Sequence, residues 1–328
     1  MSNLVQNKTS LTDSVKAYYD KLFQDGFLVS VHVSKWGMST HLNKEDIEYD
    51  KAVPAIFKLG KKMLIDPERF NEFSRIEGKA RRFLSTNSYD FPIGEAHFVP
   101  KKKVKEVLTT LDKIRQEFNK LKEKFIENYD TYKEDILGKY PELADSLRPL
   151  YPQKTELNGR FNFSVSLYEI RMPKELGEVD IQSLITRDEA KQEVKDEMEK
   201  ELADYYKTSM TKLERFTEDA AKVLRAQMVT MCTSVIEKIT NKEVVTKTNI
   251  QMIRDEIDNF RKLNFTDDQV VAEEIEKLAE VVSGNVNYKT DKDALAELNN
   301  ALTNVLDKAN NLSDLSAISD TYFRAIKL

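Results

Sequence analysis

Apolar and polar positions alternate along two stretches of the chain, and each alternation predicts a strand. In Phe27–Trp36, Phe27, Val29, Val31 and Val33 fall on one face and Leu28, Ser30, His32 and Ser34 on the other. Arg160–Met172 places Phe161, Phe163, Val165, Leu167 and Glu169 on a shared face. Pairing of these two strands would close a domain by joining its beginning to its end. Before the first strand, Ser10 or Thr12 caps a helix running to about Gln24, which Asp25-Gly26 ends. Between the strands the pattern predicts helices near 53–62 and 67–86, then an irregular stretch over 89–100.

Longer periodicities predict longer helices. From Lys101 to about Leu137, the positions Val104, Val107, Leu111, Ile114, Phe118, Leu121, Phe125 and Tyr132 step by three and four, with Asn128 in the one empty slot. This is a heptad seam, and it suits either a helical hairpin within one chain or a coiled coil between copies. A second run, from about Thr186 to Thr240, carries apolar residues from Val194 to Ile239 at a mean spacing of 3.75. That spacing predicts a straight or slightly right-handed helix. Amphipathic helices follow at about 246–263, 267–283, 291–310 and 313–327. Thr266-Asp-Asp and Thr290-Asp-Lys-Asp have the character of capped starts, and Gly284 that of a helix stop.

Composition converts this pattern into a boundary. All eight prolines lie within the first 173 of 328 residues, and only two of the nine glycines lie beyond Pro173. Proline breaks helices and glycine weakens them, so the later part can be almost wholly helical. Net charge changes at the same place, from +4 over residues 1–173 to −9 over 174–328. The expected architecture is α+β and predominantly α-helical. A head of residues 1–173 has a small antiparallel sheet with helices, and a body of 174–328 forms a helical bundle or coiled-coil-like array. Two domains also suit a chain of this length.

Chemistry is sparse. One cysteine, Cys232, and three histidines, His32, His41 and His97, make a poor ligand set for zinc and no intramolecular disulfide. No phosphate-loop, dinucleotide or nucleophile-elbow pattern occurs; Leu59-Gly-Lys-Lys62 lacks the first glycine and the hydroxyl of such a loop and is expected to be a helix that Gly60 ends or interrupts. Asp291-Lys-Asp293 begins like a calcium loop, yet Ala296 and Leu302 occupy the slots of its glycine and glutamate, so a helix cap is expected. His32 and His41 flank Trp36 within sequence reach of Asp46 and Glu48, though a solvent-facing histidine is the simpler expectation. No catalytic residue, cofactor site or metal site is assigned. The start of the chain lacks the features of a signal peptide, and no apolar run approaches the ~18 residues of a membrane span, which predicts a soluble chain of the reducing cytoplasm.

Charge supplies the one candidate site. Residues 51–105 hold 13 Lys and Arg against six acids, clustered as Lys61, Lys62, Lys79, Arg81, Arg82, Lys101, Lys102, Lys103 and Lys105. Such a patch would seat an acidic partner protein, or the acidic later part of the chain, or grip nucleic-acid phosphates. The interleaved aromatics fall at helical spacing, which suits core packing.

Several short blocks occur in a distinctive order: Trp36-Gly37; Leu59-Gly-Lys-Lys-Met-Leu-Ile-Asp-Pro-Glu68; Phe73-x-x-Ile76 with Ala80-Arg-Arg-Phe-Leu84; Phe91-Pro-Ile-Gly-Glu-Ala-His-Phe-Val-Pro100; and Arg160-Phe-Asn-Phe163 to Pro173. Over residues 27–240 the chain resembles a family of bacterial and phage proteins, the domain of unknown function numbered 3150. The resemblance implies company rather than chemistry. Members tend to be encoded beside a MoxR-type AAA+ ATPase and a protein with a von Willebrand A domain. By analogy the chain would be a non-catalytic accessory component of such a system, working through protein partners in the cytoplasm of a bacterium or phage host. Two other readings remain open: a nucleic-acid-binding protein that uses the basic segment, and a self-assembling phage structural protein.

Overall fold

The computed structural model describes residues 20–41, 60–92, 95–169, 191–284 and 286–318. Six strands occur among them: β1 (Gly26–Ser34), β2 (Ser39–His41), β3 (Lys61–Met63), β4 (Tyr89–Asp90), β5 (His97–Pro100) and β6 (Asn162–Tyr168). The helices are α1 (Pro67–Thr86), α2 (Lys101–Glu127), α3 (Tyr129–Lys139), α4 (Ala144–Leu147), α5 (Lys154–Arg160), α6 (Lys191–Thr240), α7 (Lys247–Leu263), α8 (Gln269–Ser283) and α9 (Lys292–Asn310). The four-stranded sheet has the order β4-β5-β1-β6, so the two strands predicted by alternation are neighbours. The predominantly helical α+β class is therefore the observed one.

Three local expectations need correction. The helix near 53–62 is not formed over its described end: Lys61–Met63 is strand β3, paired antiparallel to β2 with Thr40 opposite Lys62. A hydrogen bond from Leu64 N to Met38 O, 2.9 Å, extends that pairing. The stretch 89–100 is not irregular, because β4 and β5 pair with Tyr89 opposite Phe98; strands of two and four residues are too short to display a period. The helix expected over 101–137 is two helices. Asn128, the empty slot of the seam, interrupts it with φ −92° and ψ 8°, and its side-chain amide donates to Lys124 O at 2.8 Å beside its own backbone N–H. A side chain that competes for a helical carbonyl weakens the helix at that point.

The chain forms two compact units, and neither is one continuous segment. One takes the chain up to Leu28, Asn87–Lys105 and everything from Leu167 onward; the other takes Val29–Thr86 and Glu106–Ser166. Pro173, the expected boundary, lies outside the described residues.

In the unit built from Val29–Thr86 and Glu106–Ser166, the heptad seam is occupied by the same chain. Val107, Leu111, Ile114, Phe118 and Phe125 are buried, and Leu121 is half-buried. Phe118 meets Phe73 of α1 edge-on at 5.4 Å and Phe163 of β6 at 5.6 Å. Phe125 meets Phe161 at 5.4 Å and Trp36 at 6.4 Å. The seam's neighbours are therefore the helix α1, the β6 segment and the residues just after β1.

In the other unit, α7 and α9 pack on α6 while α8 packs on α7 and α9, and the buried face of α6 runs through Leu213, Phe216, Leu224, Met228 and Val235. The stretches expected at 246–263, 267–283 and 291–310 are all helical, and their caps are side-chain oxygens. Thr246 and Asn249 form a reciprocal capping box, Asp268 accepts from Val271 N, and Asp291 accepts from Ala294 N. Gly284 is the C-cap of α8. Of the last expected helix, 313–327, only residues 313–318 fall within the described residues, and 315–318 of these are helical. Half-buried Val104, the first seam position, also belongs to this unit.

Gly26 opens β1 in that unit at a point where backbone and ring leave no space. A Cβ there would lie 2.5 Å from both Phe98 Cζ and Val99 O. The carbonyl belongs to β5 and cannot swing aside, so Gly26→Ala is expected to cost about 1–3 kcal/mol of stability, read as a lowered midpoint in thermal unfolding by circular dichroism.

Candidate functional site

Helix α2 begins at Lys101 directly after Pro100, a residue with no side-chain acceptor to cap it. Its first turn carries Lys101, Lys102 and Lys103 and no acid. Cations at a helix N-terminus oppose the helix dipole, so this turn concentrates positive potential. Lys103 is turned inward and 4 % exposed, and its Nζ donates to Asn259 Oδ1 at 2.8 Å. Burial pushes the nearby Glu256 carboxyl above its ordinary range, against the opposing pull of Asn259 and Lys103.

Lys101 and Lys102 face outward and line a cleft of about 510 Å³. The end of the helical segment before β1 contributes Lys21, Gln24 and Asp25; the last turn of α7 contributes Lys262; and the loop from α7 to α8 contributes Asn264–Asp267. All of these belong to one unit. Two of the four lysines are balanced locally: Lys21 lies 3.5 Å from Asp25, and Lys262 lies 2.7 Å from Asp258. Lys101 and Lys102 have no ion pair among the described residues. The excess positive charge of the cleft is thus localised at the head of α2.

The α7–α8 loop that lines the cleft is held by contacts of its own side chains. Asn264 Oδ1 accepts from Asp268 N at 2.9 Å, and Asp267 sits in the left-handed region at φ 58°. Phe265 is fixed by rings on three sides, Phe98 at 4.8 Å, Tyr89 at 5.4 Å and Phe216 at 6.0 Å. Tyr89 donates its hydroxyl to Leu263 O at 3.0 Å, and its full burial raises the phenol's pKa. Behind the loop, Asp268 is buried in a bidentate pair with Arg225.

The other cations of the basic segment are placed differently. Lys61, Lys62, Lys79, Arg81 and Arg82 belong to the second unit, whereas Lys101, Lys102, Lys103 and Lys105 belong to the first. Lys79 Nζ is 2.8 Å from both carboxylate oxygens of Glu117, and Arg81 Nε is 3.1 Å from Glu77. Burial works to raise the Glu77 carboxyl, but hydrogen bonds from Lys35 and Arg81 hold it below its ordinary range. Arg82 is exposed on the last turns of α1, and Lys61 and Lys62 sit on β3. What a count along the sequence joins, the fold divides.

His32 and His41 are exposed, and the acids proposed for them, Asp46 and Glu48, lie outside the described residues. His97 Nδ1 lies 3.1 Å from Asp90 Oδ1. Cys232 is buried, and burial pushes its thiol up to about 12, which suppresses the nucleophilic thiolate. Among the described residues no group of three or more His, Cys, Asp or Glu side chains is placed to hold a metal ion, and no helix is long and apolar enough to cross a membrane. Lys21 and Lys262 are additions that sequence reading missed. The only sequence signal was the capped loop after Lys262, which marks a helix end where side chains can converge.

No curated protein and no solved structure matches the chain. A family model described as "Protein of unknown function (DUF3150)" matches residues 23–229, a span that holds Lys101 and Lys102 and ends before α7, α8 and α9. This match covers more than half of the sequence, and the chain belongs to the DUF3150 family.

Proposed function

We propose that the chain is a non-catalytic interaction component whose lysine cleft seats an acidic segment of a partner protein. The observation that carries this reading is the pair Lys101 and Lys102, exposed on the cleft and without an ion pair among the described residues. A fixed excess of charge in a cleft raises the local concentration of an oppositely charged partner and orients it. The partners implied by the resemblance, a MoxR-type AAA+ ATPase and a von Willebrand A domain protein, are the first to test. Nucleic acid is a poorer occupant, because Asp25 and Asp267 stand in the cleft and a regular polyphosphate would run against them.

The test is co-purification of the full chain with the ATPase and its companion in each nucleotide state. Lys101→Glu/Lys102→Glu is expected to weaken capture by about tenfold or more. Acids in the first turn favour the helix dipole, so this variant keeps its fold. Unchanged capture by the variant, or no association at micromolar concentration in any nucleotide state, overturns the proposal.

A further inference from the structure

We infer that the group seated in the cleft is a phosphate monoester. This inference rests on the reading of the cleft as the contact site and specifies the anion it selects. Lys21 is balanced by Asp25 and Lys262 by Asp258, which leaves Lys101 and Lys102 as two adjacent positive charges on one wall. Asp267 also lines the cleft. A regular polyphosphate meets both acids of the cleft, whereas a compact group with two negative charges on a partner segment meets the two free lysines. A phosphate monoester has this charge, about −1.5 to −2 near neutral pH, on three oxygens that each accept from an ammonium donor. The cleft's 510 Å³ lies within the roughly 300–1,000 Å³ of sites that hold small groups. Phe265, held by three other rings, gives the carrier of the phosphate a flat apolar surface. The phosphate is borne either by a phosphorylated side chain or by a small phosphorylated metabolite; the chemistry at the lysines is the same.

Calorimetric titration of the full chain distinguishes these sources. The probes are a phosphoserine peptide, its unphosphorylated form, an Asp/Glu-rich peptide, adenosine monophosphate and inorganic phosphate, at one ionic strength. A phosphate monoester is expected to bind at least tenfold more tightly than the unphosphorylated peptide, and Lys101→Glu/Lys102→Glu is expected to remove that difference. The charged groups facing the site are Lys21, Asp25, Lys101, Lys102, Lys262 and Asp267, with no histidine among the described lining residues. The phosphoserine dianion itself takes up a proton near pH 6 and becomes a monoanion, so its affinity falls about fourfold from pH 7.5 to 5.5. A carboxylate ligand keeps its charge over that interval. Preference for the phosphopeptide or for the nucleotide names the source, and either supports the inference. Binding of the Asp/Glu-rich peptide without binding of any phosphate overturns the phosphate and leaves the acidic-partner reading standing. Binding of the phosphates by Lys101→Glu/Lys102→Glu as by the unaltered chain overturns both.

Discussion

Arg225→Met is expected to lower the stability of its unit by about 3–5 kcal/mol, because it strands buried carboxylate charge. Arg225 lies on the buried face of α6 and uses every N–H of its guanidinium. Nε and Nη2 donate to Asp268 at 2.6 and 3.0 Å, Nη1 and Nη2 donate to Asp314 at 2.8 and 2.9 Å, and Nη1 also donates to Asn311 O. One side chain thereby fastens the start of α8 and the turn after α9 to α6. Methionine fills similar volume but leaves Asp268 buried and unpaired. Lysine brings a charge without the planar fork, so Arg225→Lys recovers only part of the loss.

The same cluster sets an acid dependence with a definite sign. The Arg225 guanidinium holds the Asp314 carboxyl below its ordinary range, chiefly through its hydrogen bonds. A carboxyl with a folded pKa below its unfolded value contributes stability above about pH 4, and this is lost as pH falls through the folded value. The unaltered chain therefore loses stability on acidification. In Arg225→Met the guanidinium that holds the Asp314 carboxyl down is gone, and the dependence weakens. Urea unfolding at pH 7 and pH 3.5 measures both. Parallel losses in the two proteins would show that the cluster does not set the acid response.

Phe73→Ala is the second large effect, with an expected loss of about 3–5 kcal/mol in the other unit. Phe73 is fully buried. Its ring stacks on Phe161 at 4.8 Å and meets Phe118 and Phe125 edge-on at 5.4 and 5.8 Å. One truncation therefore removes three ring contacts and leaves a cavity among rings that α1, α2 and the approach to β6 hold in place. The chain's single tryptophan, Trp36, lies 6.0 Å from Tyr129 in the same core, so the shift in its fluorescence transition reads the loss directly. A midpoint within 0.5 kcal/mol of the unaltered chain would mean that Phe73 does not organise this core.

These two residues also mark how far sequence reading goes. Phe73 was legible as a helical residue because Pro67 opens α1 and the apolar spacing continues to Thr86. The long helices, their caps at Asp268 and Asp291, and the adjacency of β1 and β6 were legible for the same reason: each rests on local periodicity or on a capping chemistry confined to a few residues. Arg225 was not legible, since a charged residue beside Leu224 reads as the solvated edge of an amphipathic helix. Its partners lie 43 and 89 residues away, beyond any periodicity. The cleft was half legible: Lys101 and Lys102 stand out as a run, while Lys21 and Lys262 join them only through the fold. The basic segment misled by contiguity, because α1 and the head of α2 belong to different units.

The hydrogen bond from Tyr89 to Leu263 spans 174 residues of chain, and this has a consequence during synthesis. At roughly 5–20 residues per second, a ribosome that has released Phe98 needs about 8–33 s more to release Phe265. Phe91 and Phe98 lack their ring partner on α6, Phe216, for about the first 6–24 s, and Tyr89 and Phe98 lack Phe265 of the α7–α8 loop for the whole interval. The nascent chain therefore presents an aromatic strand pair to its surroundings for longer than most small domains take to fold, a window open to chaperone capture and to aggregation.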